Sequence, residues 1–351
     1  MNIYMSIFFR LVPLLMGAIC LGYGFYVDKL EQTVGTQYIV ASHVLIALTA
    51  ICIALFTTAA TIIRQLIKKY NNFYKFILPL IGYTVGVTTA IVGIYFWTIY
   101  KNKPPYFVSG NIIFGIGLIA CCISTVATAS TKFLLIPKNS ANLKEGEIPK
   151  GAFKDKQGKV LISVPIICSL AGLTRGFYLM FSSSSVPNSI AAHVLIGISL
   201  ICVSLISLVV SIVKQIQNTF KNKERWTWSK IVLLMGSIDI IWGIVTLITC
   251  NNEALIAPGF VLIGLGLICY SISSKVVLLA LVWRNKCDLA KRIPIIPVVT
   301  ALSCLFIGAF LFEAALFNPA YFIPARVMVG LGAVCFTLFS IVSILESGTS
   351  S

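Results

Sequence analysis

Charge is what this sequence has least of. Of its 351 residues only 11% are Asp, Glu, Lys or Arg, where a soluble domain carries about a quarter. Hydrophobic residues make up 58%, and the mean hydropathy is +0.96. An ordinary soluble protein is excluded, and the same figures exclude a disordered chain, a collagen and a disulfide scaffold. Acidic residues are scarcer than basic ones, 11 against 27, which leaves a formal net charge of +16. In a soluble protein that surplus would suggest nucleic acid. In a chain this apolar it records orientation across a membrane, and no nucleic-acid partner is expected. Histidine is scarcer still, with two in the chain. No His or Cys pair has metal-ligand spacing, and no Walker sequence occurs. The Gly-x-Gly pairs at 115/117, 264/266 and 330/332 lie inside apolar runs and read as packing devices. A Ser-His-Asp arrangement has little support from two His. No catalytic residue, metal or cofactor is expected, and an intramembrane enzyme is the remote reading.

What the sequence has in abundance is long apolar runs. A bilayer core about 30 Å thick needs roughly 20 mostly apolar residues per spanning helix. About ten stretches qualify: 7–27, 38–63, 75–99, 107–131, 160–181, 189–213, 229–250, 256–281, 294–317 and 322–345. The expected fold is therefore all-α, a polytopic membrane protein forming one integral membrane domain over 1–351. The first span resembles a signal peptide, with Arg10 before an apolar run. No small-x-small cleavage site follows, however, and Tyr23, Phe25 and Tyr26 stand where one would be, so a retained anchor is expected. The longest polar connection, 137–159, holds Gly, Pro and Lys without apolar periodicity and reads as a cytosolic linker.

The cations mark the sides. Arg64, Lys68, Lys69 and Lys75 flank the second connection, and Lys132, Lys138, Lys144, Lys150, Lys154, Lys156 and Lys159 the fourth. Lys214, Lys221, Lys223, Arg225 and Lys230 flank the sixth; Lys275, Arg284, Lys286, Lys291 and Arg292 flank the eighth. With Arg10, every cation except Lys29, Lys101, Lys103, Arg175 and Arg326 falls on one face. Positive residues are retained on the cytoplasmic side during insertion, so both termini are expected to be cytoplasmic and that face to meet anionic lipid. Nearly all of the 11 Cys lie within apolar spans and read as small packing residues; Cys250 alone is near an outer loop.

The spans repeat in pairs, giving five parallel helical hairpins at about 7–63, 75–131, 160–213, 229–281 and 294–345. The second helix of each carries one signature, anchored at His43, Asn111, His193, Phe260 and Arg326. Four residues after the anchor stand Ala47, Gly115, Gly197, Gly264 and Gly330; nine after it stand Cys52, Ala120, Cys202, Cys269 and Cys335. Small residues at these positions let helices approach closely. The first helix of four hairpins carries Pro13, Pro79, Pro165 or Pro297 near its start. Repeats that all point the same way differ from the inverted repeats of many alternating-access transporters.

Ionisable groups at membrane depth carry a functional hypothesis. His43, His193, Asn111 and Arg326 lie about one turn into their helices from the outer face, and Arg175 and Glu313 lie at a similar level. Glu313 and Arg326 are expected to pair across the Asn318-Pro319 turn. The layer either staples helix ends or forms an outward-facing vestibule whose two His change charge between about pH 5 and 8. Asp239 stands at the middle of the seventh span with no cation at its depth in the same hairpin. It is either a neutral carboxyl bonding a neighbouring helix or part of a proton or cation relay. Lys275, deeper toward the cytoplasm, is expected to snorkel.

The stretches Met1-Asn-Ile-Tyr4, Phe133-Leu-Leu-Ile-Pro-Lys-Asn139, Leu278-Leu-Ala-Leu-Val-Trp-Arg284 and Gly330 to Glu346 resemble the YhiM family of bacterial inner-membrane proteins along the full length. The resemblance implies a multi-pass inner-membrane protein associated with survival at low external pH. It carries no assigned activity and no functional residues. His43 and His193 match the family's small residue followed by His-Val, whereas Asn111 stands where a His is expected. Two functions follow. One is conduction of protons or a small solute in acid stress, which predicts a continuous water path from His43 and His193 to Asp239. The other is a non-transporting structural or lipid-organising role, which predicts those residues in closed helix contacts. A homo-oligomer is left open.

Overall fold

The computed structural model of the chain describes residues 3–34, 38–67, 69–132, 149, 151–182, 185–249, 252–282 and 292–350. They form α1 (Ile3–Val34), α2 (Ile39–Leu66), α3 (Asn72–Ile99), α4 (Pro104–Ser130), α5 (Asp155–Ser182), α6 (Val186–Ile216), α7 (Asn222–Thr249), α8 (Ile256–Val282), α9 (Ile295–Ala314) and α10 (Phe322–Ser350). Among the described residues there is no strand, and all ten helices are long and apolar enough to cross a membrane. The fold is all-α and polytopic.

The helices are arranged as a ring within a ring. α2, α4, α6, α8 and α10 pack side by side in that order, and α10 closes against α2. Each odd helix packs outside this ring against two neighbours. One is its own hairpin partner; the other is the inner helix before it, so that α3 also lies on α2, α5 on α4, α7 on α6, α9 on α8 and α1 on α10. Burial follows the same division. Between 61% and 83% of the most apolar window is buried in the inner helices, against 28% to 33% in the outer ones. The outer helices turn large side chains such as Phe76, Ile91, Phe181, Ile248 and Phe306 outward, the belt a bilayer would take up.

Small residues set the spacing of the inner ring. A Cβ on Gly115 would stand 2.9 Å from Ile198 and Leu195 of α6, and one on Gly197 would stand 2.6 Å from Leu262 of α8. A Cβ on Gly264 would be 2.5 Å from Leu331 of α10, and one on Gly330 would be 2.6 Å from Leu48 of α2. Each glycine thus admits a Leu or Ile of the next helix around the ring. Lipid offers no hydrophobic drive for helices to associate, and such close packing is what holds them together. All nine described cysteines are buried and free.

Several boundaries differ from the expected ones. α5 starts at Asp155, so the last residues of the expected 137–159 linker are helical. A run of polar residues hides that start from hydropathy, yet Asp155 in the first turn suits the positive end of the helix dipole. The Phe133–Asn139 stretch, Lys68, Lys138, Lys144, Lys150, Cys250, Arg284, Lys286 and Lys291 lie outside the described residues, as do the side chains of Arg10 and Arg225.

Candidate functional site

Because the inner helices close into a ring, one face of each turns toward a common axis. On α2 that face is Val44, Leu48, Ile51, Leu55 and Thr58; on α8 it is Val261, Leu265, Ile268, Ile272 and Lys275. Steps of four and three average 3.5 residues, which keeps one side of a helix on the axis over several turns. At the end holding the α3–α4, α5–α6, α7–α8 and α9–α10 connections, the axis opens into a vestibule of about 600 Å³. Val44, Ile112, Val194, Val261 and Val327 line both that vestibule and the axial cavity below it. The axial cavity holds about 40 Å³, and a further cavity of about 20 Å³ continues it toward the other end. These volumes admit only a few waters, and the walls give water little to bond. Among the described residues, Thr58 and Lys275 are the only polar side chains lining the axial cavity.

The expected polar layer exists, but it does not face this path. His43 shares a 3.1 Å hydrogen bond between Nδ1 and the Ser109 hydroxyl of α4 and packs against the Phe96 and Tyr106 rings. Asn111 is fully buried: its Nδ2 donates to the Phe107 carbonyl at 2.8 Å, and its Oδ1 accepts from Arg175 Nε at 3.0 Å. The Arg175 guanidinium lies 4.4 Å from the Trp97 ring centroid. His193 Nδ1 lies 2.7 Å from the Ser189 carbonyl, and its ring meets Trp242 of α7. Each anchor precedes an axial residue by one position. A helix turns about 100° per residue, so the anchors point into the wall between helices. The vestibule is lined instead by aliphatic and proline residues, with Glu253 and Asn318 as its polar members.

Two expectations are corrected here. Glu313 is exposed and forms no ion pair with Arg326. Phe312 faces Arg326 instead, its ring centroid 5.0 Å from the guanidinium, which turns the next residue away. Arg326 stacks on Phe322 at 3.1 Å and donates from Nη1 to the Phe322 carbonyl, leaving its Nε buried without a partner. Lys275, expected to run toward the cytoplasmic surface, is 4% exposed and lines the axial and inner cavities. It makes no hydrogen bond or ion pair with another described residue. The signal that finds it is the 4-3-4-3 aliphatic stripe beginning one residue after each anchor, on which Lys275 is the sole ion.

Asp239 is fully buried, and neither carboxyl oxygen has a hydrogen-bond partner. It faces Gly197 of α6 and does not line the axial cavity. Among the described residues, His43, His193 and Asp239 line neither the vestibule nor the two axial cavities; all three sit in helix contacts. Among the described residues no group of three or more His, Cys, Asp or Glu is placed to hold a metal ion.

Toward the terminal end of the bundle, Lys214 Nζ bonds Glu224 Oε2 at 2.8 Å, which holds the Glu224 carboxyl below the usual glutamate range. Arg64 stacks on Tyr74, and Lys132 lies over Phe153.

Against known proteins, a family model described as "Protein of unknown function (DUF2776)" matches residues 1–350. The chain is 50% identical over 353 residues to "Inner membrane protein YhiM" of Escherichia coli (strain K12), an alignment covering all of this chain and 99% of that protein. No solved structure matches the chain.

Proposed function

The chain belongs to the family described as a protein of unknown function (DUF2776), and on that premise we propose that it is a channel built from a single chain and closed in the state seen here. The observation that carries the reading is the axis itself: a closed ring of five helices lined by successive aliphatic layers, wide at one end and narrow at its middle. A hydrophobic constriction of this kind blocks ions by excluding water, and it conducts once it widens or becomes wettable. The ring closes within one chain, so a pore needs no second copy.

In this reading the five hairpins are parallel repeats, each giving one helix to the pore wall and one to the lipid-facing rim. Both termini are cytoplasmic, and Arg64, Lys69, Lys75 and Lys221 meet anionic headgroups there. The protein is not an enzyme. The conducted species is a small solute in preference to a proton, because the aliphatic layers between the vestibule and the level of Thr58 and Lys275 supply no side chain able to relay one. We propose that this channel serves survival at low external pH.

The full-length protein in proteoliposomes tests this. Replacing Ile201 and Ile268, which both line the narrow cavity, by Ser wets the constriction. The double variant is expected to pass ions or small solutes that the wild type retains. If it conducts nothing at neutral or acidic pH, the channel reading falls. The placement of His43, His193 and Asp239 in closed contacts then favours the structural or lipid-organising role.

A further inference from the structure

The least explained group on the axis is Lys275. It is 96% buried by its 4% exposure, lies between the axial cavity and the cavity beneath it, and has no acidic neighbour among the residues lining either one. A cation in so apolar a place needs a counter-charge or a change of state. Two hydroxyl-bearing side chains share its surroundings. Thr58 lines both cavities, and Ser130 lines the lower one. Thr58 donates to the Ala54 carbonyl at 3.2 Å, so its oxygen keeps lone pairs and its proton has a competing acceptor. The rest of the lower cavity is aliphatic, with Ile62, Ile212 and Leu279 among its walls. The site is therefore small and mostly apolar, with Lys275 as its one ionisable side chain among the described residues.

We propose that Lys275, with Thr58 and Ser130, forms a binding site for a small monovalent anion on the axis. The ammonium supplies the charge, Ser130 supplies a hydroxyl donor, Thr58 supplies a second once its proton turns from the Ala54 carbonyl, and the aliphatic walls exclude larger or doubly charged species. Cavity size favours an ion no larger than a halide or a one-carbon acid anion. The proposal rests on the channel reading only for its second consequence, that the ion bound there is also the one conducted. Its first consequence, binding, stands on the cavity alone. Where Lys or Arg lines a pore, anions are the ions favoured.

Two measurements on the full-length protein separate these consequences. The first is the thermal midpoint in detergent as chloride is replaced by gluconate at constant ionic strength, since a ligand bound only by the folded state raises that midpoint. The wild type and Lys275→Arg are expected to lose stability on the exchange, and Lys275→Met to be indifferent. An equal response from wild type and Lys275→Met overturns the site, whatever the currents show. The second is the reversal potential across a potassium chloride gradient in the Ile201→Ser, Ile268→Ser background. It is expected to lie toward the chloride equilibrium, to lose that preference in Lys275→Met and to move toward the potassium equilibrium in Lys275→Glu. A background that carries no current overturns the channel and leaves the thermal result to decide the site. Current with the same ion preference in all three proteins overturns the role of the site in conduction.

Discussion

The Oδ1 oxygen of Asp239 stands 3.1 Å from the point where a Cβ on Gly197 would sit, so α7 meets α6 with a carboxyl set against bare backbone. Gly197 is crowded from α8 as well, with Leu262 at 2.6 Å and Leu265 at 3.0 Å from the same point. Gly197→Ala is expected to destabilise the bundle by about 1–3 kcal/mol, as overpacking does in tight cores. Thermal unfolding in detergent checks this; an unchanged midpoint would mean that α6 and α8 separate freely.

Asp239 itself offers the opposite prediction. Both its oxygens are buried and unbonded, and an unsatisfied buried polar group costs about 1–3 kcal/mol. Asp239→Val, close in volume and without polar atoms, is expected to raise the thermal midpoint and to leave the conduction of the opened-gate protein unchanged. Loss of conduction with an intact fold would return Asp239 to the transport path.

Asn111 and Arg175 form the one side-chain bond between two of the polar residues singled out by sequence, at 3.0 Å. Asn111→Leu strands the guanidinium, and Arg175→Lys loses both the planar donor and the stacking on Trp97. A double-mutant cycle over Asn111→Leu and Arg175→Met is expected to give a coupling of about 1–2 kcal/mol. The partly exposed position of Arg175 keeps it from being larger.

The Lys214–Glu224 pair predicts a pH effect. The partner lowers the Glu224 carboxyl, so the folded state favours the ionised form. Its contribution is complete above the ordinary glutamate range and is lost as the pH falls through the depressed folded value. The pair is exposed, with 30% and 36% of the two side chains accessible, which limits the effect to less than about 1 kcal/mol. Glu224→Gln is expected to cost that much near neutral pH and nothing in strong acid. Thermal midpoints of both proteins across that range check it.

Depth along the membrane was legible in the sequence, and direction around the helix was not. Ten spans, the level of His43, Asn111, His193 and Arg326, and the small residues such as Gly197 and Gly330 all follow from counting apolar residues and comparing segments. Whether a side chain faces the axis, a neighbouring helix or lipid depends on how the helices are assembled, and a shift of one residue changes the answer. Glu313 and Arg326 share a level yet face apart because Phe312 takes the inward place. The anchors read either as staples between helix ends or as a vestibule lining, and the lining is the residue after each of them. Lys275 was misplaced for the same reason. A long cation near a helix end usually reaches for the surface, and only the closed ring shows that its route leads inward.

The ring also has a bearing on composition. Five identical subunits around an axis can carry a given residue at one level five times or not at all, and five ammonium groups crowded at the depth of Lys275 would repel one another strongly. A covalently continuous ring escapes that arithmetic. With Thr58, Val126 and Leu208 as its companions at the same end of the axial cavity, a solitary lysine can stand in an aliphatic collar, and each wall position can be altered without altering the other four.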